Sequence, residues 1–169
     1  MEVLLWGRSM KISIKLGAAF LLLLLIQACS TTYGEMGATG GVSAAAITSD
    51  TYRISARGNG FTDSTTIQDY VLLKAAETTL ENGHTHFTIV SSADATRTSI
   101  GQTAGYMQTN VYGNYAYSTY NPGSTYTVVK PGEDLIIRIF TLRPGQSMAG
   151  AFAAQEVYDS INPRVERSS

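Results

Sequence analysis

Between Lys11 and Cys29 the chain reads KISIKLGAAFLLLLLIQAC, and this stretch limits everything that follows it. Lys11 and Lys15 give it a positive start, Leu16 to Ala28 carries no charge, and the apolar heart runs from Ala18 to Ile26. Such a heart fits the roughly 7–15 residues of a secretory h-region, while the uncharged run falls short of the ~17–25 residues of a membrane span. The run closes on the sole cysteine of the 169-residue chain. With one cysteine no internal disulfide can form, so whatever folds after export must stand on packing and hydrogen bonds.

Ile26-Gln27-Ala28-Cys29 resembles a bacterial lipobox, with an aliphatic residue at −3, a small one at −1, and then the cysteine that is acylated. Gln27 departs from the small or hydroxyl residue usual at −2. The motif implies a cleaved signal peptide over 1–28 and a diacylglycerol thioether, with palmitate-type chains, on Cys29. At about 0.8 kcal/mol per buried CH₂, two or more such chains hold a protein on a membrane almost permanently. Ser30 stands where an aspartate would retain a lipoprotein on the inner membrane, which points to the outer membrane with the domain facing the periplasm. Met10 opens a complete n-region of its own, so it is a second candidate start beside Met1.

Cleavage removes Arg8, Lys11, Lys15 and Glu2 from totals of 12 basic and 13 acidic residues, leaving a formal charge of −3. That balance excludes nucleic acid, which requires a basic footprint, and offers no polybasic patch for anionic lipid. Residues 29–50 are mostly Gly, Ala, Ser and Thr and read as an acylated cysteine on a flexible tether. The folded domain is expected over 51–163.

Tyr52, Ile54 and Ala56 alternate with polar residues as in a half-buried strand, and Gly58-Asn59-Gly60 breaks it. A helix is expected from about Thr66 to Asn82, with Thr65–Gln68 at capping-box spacing, Asp63 or Ser64 as other caps, and Gly83 as the stop. Val71, Leu72, Ala75, Ala76 and Leu80 cover one side of it and Lys74, Glu77 and Glu81 the other. His84 to Ser91 is the next strand, and strand–helix–strand makes a βαβ candidate. Residues 92–124 form a Tyr-rich insertion without a core pattern, in which Asn110 to Tyr117 suits a hairpin around Gly113-Asn114. Thr125 to Lys130 and Asp134 to Arg143 read as strands around a type II turn at Pro131-Gly132, and Ala151 to Ile161 as a helix stopped by Pro163. The tail, 164–169, is expected to be loose.

The lipobox cysteine, the strand into Gly58-Asn59-Gly60, the Tyr70–Glu77 helix with Gly83 and Phe87 after it, and Gly145 followed by Gln155-Glu156-Val157 and Asn162-Pro163 together resemble a family of short uncharacterised proteobacterial lipoproteins. The resemblance covers about two thirds of the mature chain, leaves out the tyrosine-rich middle, and implies an envelope lipoprotein with no catalytic residues to carry over.

Chemistry-bearing motifs are few. Gly145-Gln146-Ser147-Met148-Ala149 approaches a nucleophile elbow, but in that fold the histidine follows the serine, and His84 and His86 precede it. His84 and His86 share a strand side at i, i+2, short of the three or four ligands a metal site needs, with Asp94 the nearest carboxylate. Gly58 and Gly60 lack the third glycine of a phosphate-binding turn. Tyr112, Tyr115, Tyr117 and Tyr120 combine flat apolar faces with hydroxyls and suit protein or sugar partners, although no regular spacing aligns the rings.

The expectation is therefore an α+β domain with two helices on one face of a small, mostly antiparallel sheet of about four strands. The expected function is a non-enzymatic envelope lipoprotein, a structural or accessory binding module without cofactor or metal. Its partners would be the membrane through Cys29 and an envelope protein or peptidoglycan through the tyrosines. The alternative is an envelope hydrolase or metal-dependent enzyme using His84 or His86.

Overall fold

The computed structural model describes residues 30–167; the signal segment 1–28 and the lipidation site Cys29 lie outside the described residues. The longest helix among the described residues, α1 (Ser64–Glu81), starts where Asp63 accepts a hydrogen bond from the Thr66 backbone N–H at 2.8 Å. It stops at Asn82, with Gly83 at φ 73°. Ile67, Tyr70, Val71, Leu73, Ala75 and Ala76 are buried along it. Thr78 and Thr79 are buried as well, and each satisfies its hydroxyl on the carbonyl four residues back, at 2.7 Å.

Helix α1 covers one face of a five-stranded sheet made of β1 (Gly41–Ala46), β2 (Thr51–Arg57), β8 (Gly132–Phe140), β3 (His86–Asp94) and β9 (Ala151–Ala153), in that spatial order. Every neighbouring pair is antiparallel. Val42, Ile54, Ala56, Phe87, Leu135, Ile137 and Ile139 alternate with exposed or half-buried residues and form one core cluster with α1. Burying each of the larger side chains contributes roughly 1.5–3 kcal/mol. A second helix, α2 (Ala154–Ile161), packs on α1 through Ala154 and Ile161, with Val157 and Tyr158 half-buried, and runs into a 3-10 turn over Asn162–Arg164.

The α+β class and the mostly antiparallel sheet agree with the sequence reading, but the sheet exceeds four strands. Both β2 and β3 run antiparallel to β8, so they are parallel to each other with β8 inserted between them. The βαβ unit is split.

Residues 30–50 are not a flexible tether. They contain β1, and Thr31, Tyr33 and Val42 are buried in the domain. The small residues pack because the chain needs close approach there: Gly40 and Gly41 adopt φ 114° and 126°, conformations costly for any side chain, and a methyl on Gly41 would stand 2.5 Å from the Glu35 carbonyl oxygen. Buried Tyr70 then donates its hydroxyl hydrogen to the Thr31 carbonyl at 2.8 Å.

The tail is tied down through Arg167, which pairs with Glu77 at 2.7 Å and lies 4.9 Å from the Tyr33 ring centroid. Arg164 pairs with Asp69 at 2.8 Å. These contacts correct the expectation of a loose end up to residue 167.

Candidate functional site

Strands β3 and β8 do not end where the helices stop covering them. They run on as β4 (Arg97–Gln102) paired with β7 (Thr125–Lys130), and then as β5 (Tyr106–Tyr112) paired with β6 (Tyr115–Asn121). One register is kept throughout, from Ser91↔Ile136 through Asp94↔Glu133, Arg97↔Lys130 and Tyr106↔Asn121 to Tyr112↔Tyr115. The joints hold the same offset: Ala95 donates to the Gly132 carbonyl and Thr103 to the Ser124 carbonyl, each at 2.9 Å. The Tyr-rich insertion 92–124 is thus part of one β-ribbon arm, which β7 completes. At about 3.3 Å per residue, the distance from Ser91 to Tyr112 approaches roughly 70 Å if fully extended.

Its outer end is the turn at Gly113-Asn114 that the sequence marks. Gly113 sits at φ 59° with no positive φ at Asn114, the pattern of a II′ turn, the geometry that matches strand twist. Pro131-Gly132 is not a turn: β7 continues into β8, and Gly132 lacks the positive φ that a type II turn requires. Gly132 is needed for another reason, since a methyl there would stand 2.7 Å from the Ala95 carbonyl oxygen across the ribbon.

The arm has no core of its own. Every residue of β5 and all but Asn121 of β6 are exposed. What packing exists is local. The Tyr126 ring lies over Gly101, its cross-strand partner, and Tyr120 leans over Gly105 with its hydroxyl 2.5 Å from where a side chain would begin. Thr109 and Ser118 share a hydroxyl hydrogen bond of 2.8 Å.

Cross-strand partners share a face, so the register sorts the tyrosines. Tyr106, Tyr112, Tyr115 and Tyr117 stand on one face with Gln108, Asn110, Thr119 and Asn121 between them. Met107, Val111, Ala116 and Tyr120 occupy the other, with Thr109 and Ser118. Three of the four candidate tyrosines are therefore aligned, contrary to the sequence reading, while Tyr120 is apart from them. A hairpin aligns residues by pairing across strands, which spacing along one strand cannot reveal.

From Thr98 to Val129 no residue is charged. The charges gather at the base as like pairs: Asp94 opposite Glu133, and Arg97 opposite Lys130. Burial and the Asp94 carboxylate raise the Glu133 carboxyl above its ordinary range, while hydrogen bonds from Thr96 lower Asp94. Arg97 and Lys130 have no acidic partner among the described residues. They border a cleft of about 430 Å³ with Arg57, Ser43, Ser55 and the glycine-rich turn at 37–40. Arg57 is itself held by a two-pronged bond to Asp134, both at 2.9 Å.

A second cleft, of about 500 Å³, lies over the polar side of α1. Glu77 there accepts from the Tyr33 hydroxyl and from Arg167, with Lys74 at 3.9 Å. Burial, followed by the Glu77 hydrogen bond and charge, pushes the Tyr33 phenol far up. A phenol held protonated as a donor to a carboxylate fastens chain ends; it does not supply a base.

The other candidates are dispersed. His86 stacks on Phe140 with ring centroids 6.1 Å apart and contacts the Thr85 hydroxyl at 2.7 Å, while His84 contacts Thr141. Asp94 is at the opposite end of β3, roughly 26 Å from His86 at strand rise. Ser147 is in an exposed loop, and β9 intervenes before α2, so no strand–turn–helix elbow forms around it. Among the described residues no three His, Cys, Asp or Glu side chains gather as a metal site.

Arg97, Lys130, Glu133, Tyr106, Met107, Val111 and Tyr126 were missed by reading motifs. The absence of charge between two basic residues, centred on Gly113-Asn114, was the signal that could have found them. No family model, no curated protein and no solved structure matches the chain.

Proposed function

We propose that this protein is a non-enzymatic lipoprotein of the bacterial cell envelope. In this reading Cys29 anchors it to the outer membrane and the arm engages a partner on the periplasmic side. The supporting observation is the arm itself: a ribbon uncharged from Thr98 to Val129, whose tyrosines are exposed and lie outside the domain's core. A two-stranded ribbon without a covered face is at best marginal in water. Exposed Tyr112, Tyr115 and Tyr117 on one face, spaced by amide and hydroxyl side chains, suit a neutral partner bound by stacking and hydrogen bonds.

The test is photo-crosslinking in cells from Tyr112, Tyr115 and Tyr117, set against deletion of residues 105–121. Thr103 and Ser124 are already hydrogen-bonded, so the shortened ribbon can close. Discrete adducts that vanish with the deletion support the reading, and an unchanged adduct pattern refutes it. Cys29→Ser should separately release the protein from the membrane fraction; retention with the same processed mass would refute the anchor.

A further inference from the structure

We propose that the partner of the arm is a second copy of this chain, with ribbon lying against ribbon about a two-fold axis. This rests on the partner-binding reading and narrows it. In the described residues β5 and β6 pair only with each other, so each keeps one open edge of backbone N–H and C=O groups. Exposed edges are normally blunted by charged side chains, proline or bulges. Here no charge lies between Thr98 and Val129, Pro122 is the only proline there, and the β5–β6 register has no bulge. An identical edge on another copy fits such an edge strand for strand, and a two-fold axis makes that contact closed rather than open-ended.

Charge and area point the same way. Beyond Arg97 and Lys130 a neutral arm meets a second neutral arm without repulsion, whereas a charged ligand would find no opposite charge from Thr98 to Val129. Tyr106, Tyr112, Tyr115, Tyr117 and Tyr120 are 62–83% exposed, and Met107 and Val111 are 67% and 68% exposed. With 150–250 Å² in each tyrosine, the exposed parts of the five come to roughly 500–900 Å² over both faces, on the scale of the ~800 Å² per partner of a stable interface. A glycan would use the tyrosine face alone and leave Met107, Val111 and Tyr120 uncovered on the other. A second ribbon, pairing along the edge, continues both faces and sets its own side chains beside those of each.

The experiment is sedimentation equilibrium of the full chain in one mild detergent, with two charge variants. Val111→Lys/Thr119→Lys places like charges on both strands and both faces of the arm, and Val111→Glu/Thr119→Glu places the opposite ones. The parent should dimerise reversibly. Each variant alone should bind itself at least about tenfold more weakly, because like charges at a contact repel. An equimolar mixture of the two should recover dimer. Thermal unfolding of the domain should be the same in all three, since neither position touches the core.

A monomeric parent overturns the inference, and so does a dimer that both variants leave intact. Loss of dimer in both variants without recovery in the mixture also overturns it, because the arms then do not face each other. If the parent is monomeric yet its arm still gives protein or peptidoglycan adducts in cells, the binding reading survives and the second-copy inference alone falls.

Discussion

Strands β3 and β8 pass through two environments, and their register shifts by one residue between Ile89 and Ser91, where β3 leaves the covered part of the sheet. Under the helices, Phe87, Leu135, Ile137 and Ile139 alternate with half-buried or exposed neighbours and are almost fully covered. Beyond Asp94 and Glu133 the backbone pairing is the same, but both faces are wet and alternation no longer separates inside from outside. Hydrogen-bond pairing sets the shape of the arm, and apolar burial sets the stability of the domain. A segment that keeps the first without the second is free to place its apolar groups for a partner.

Substitutions should separate the two regions by size of effect. The largest loss is expected at Phe87, fully buried, flanked by Ile139 and stacked on Phe152 with centroids 5.4 Å apart. Phe87→Ala should cost about 3–5 kcal/mol in urea unfolding, the range for a large cavity in a core. Tyr117→Ala on the arm should fall within about 0.5 kcal/mol. Comparable losses at the two sites would erase the distinction.

Asp63 comes next, through its cap on α1. Asp63→Ala should cost about 1 kcal/mol. Bonds from the Thr66 backbone and hydroxyl hold the Asp63 carboxyl below its ordinary value. A depressed acid stabilises the fold in full above its unfolded pKa and loses that contribution as pH falls through the folded one. The penalty of Asp63→Ala should therefore shrink as the solution is taken below about pH 4. Unfolding curves at neutral and acid pH check this; a penalty that grows on acidification would contradict the cap.

The smallest effect belongs to the base of the arm. Arg97→Glu turns a like-charge cross-strand pair with Lys130 into an opposite-charge one, a gain of roughly 0.2–1 kcal/mol to local pairing. Hydrogen exchange at β4 and β7 amides should slow while the melting of the domain stays put. Slower exchange throughout the sheet would mean that arm and domain open as one unit.

The domain was largely legible because its signals are local. A cap at Asp63 and a stop at Gly83 bracket α1, and period-2 alternation marks β2. Of the arm, the hairpin at Gly113-Asn114 and the strand β7 were legible; the rest was not, because those strands owe their existence to pairing across a hairpin that bridges distant residues, with no hydrophobic period to mark either face. Residues 30–50 misled for a different reason. Gly40 and Gly41 resemble linker composition, yet they are there because backbone passes too close for side chains. Composition cannot tell the glycine of a mobile segment from the glycine of a tight contact.

On the proposed reading the domain stands without the outer arm, which serves contact with a partner. Urea unfolding of the full chain and of the chain lacking residues 105–121, in the same detergent at high dilution, tests it directly. The two free energies should lie within about 0.5 kcal/mol of each other, since the deletion removes no core residue. A loss of more than about 2 kcal/mol, on the scale of core damage, would contradict it and make the arm part of the fold.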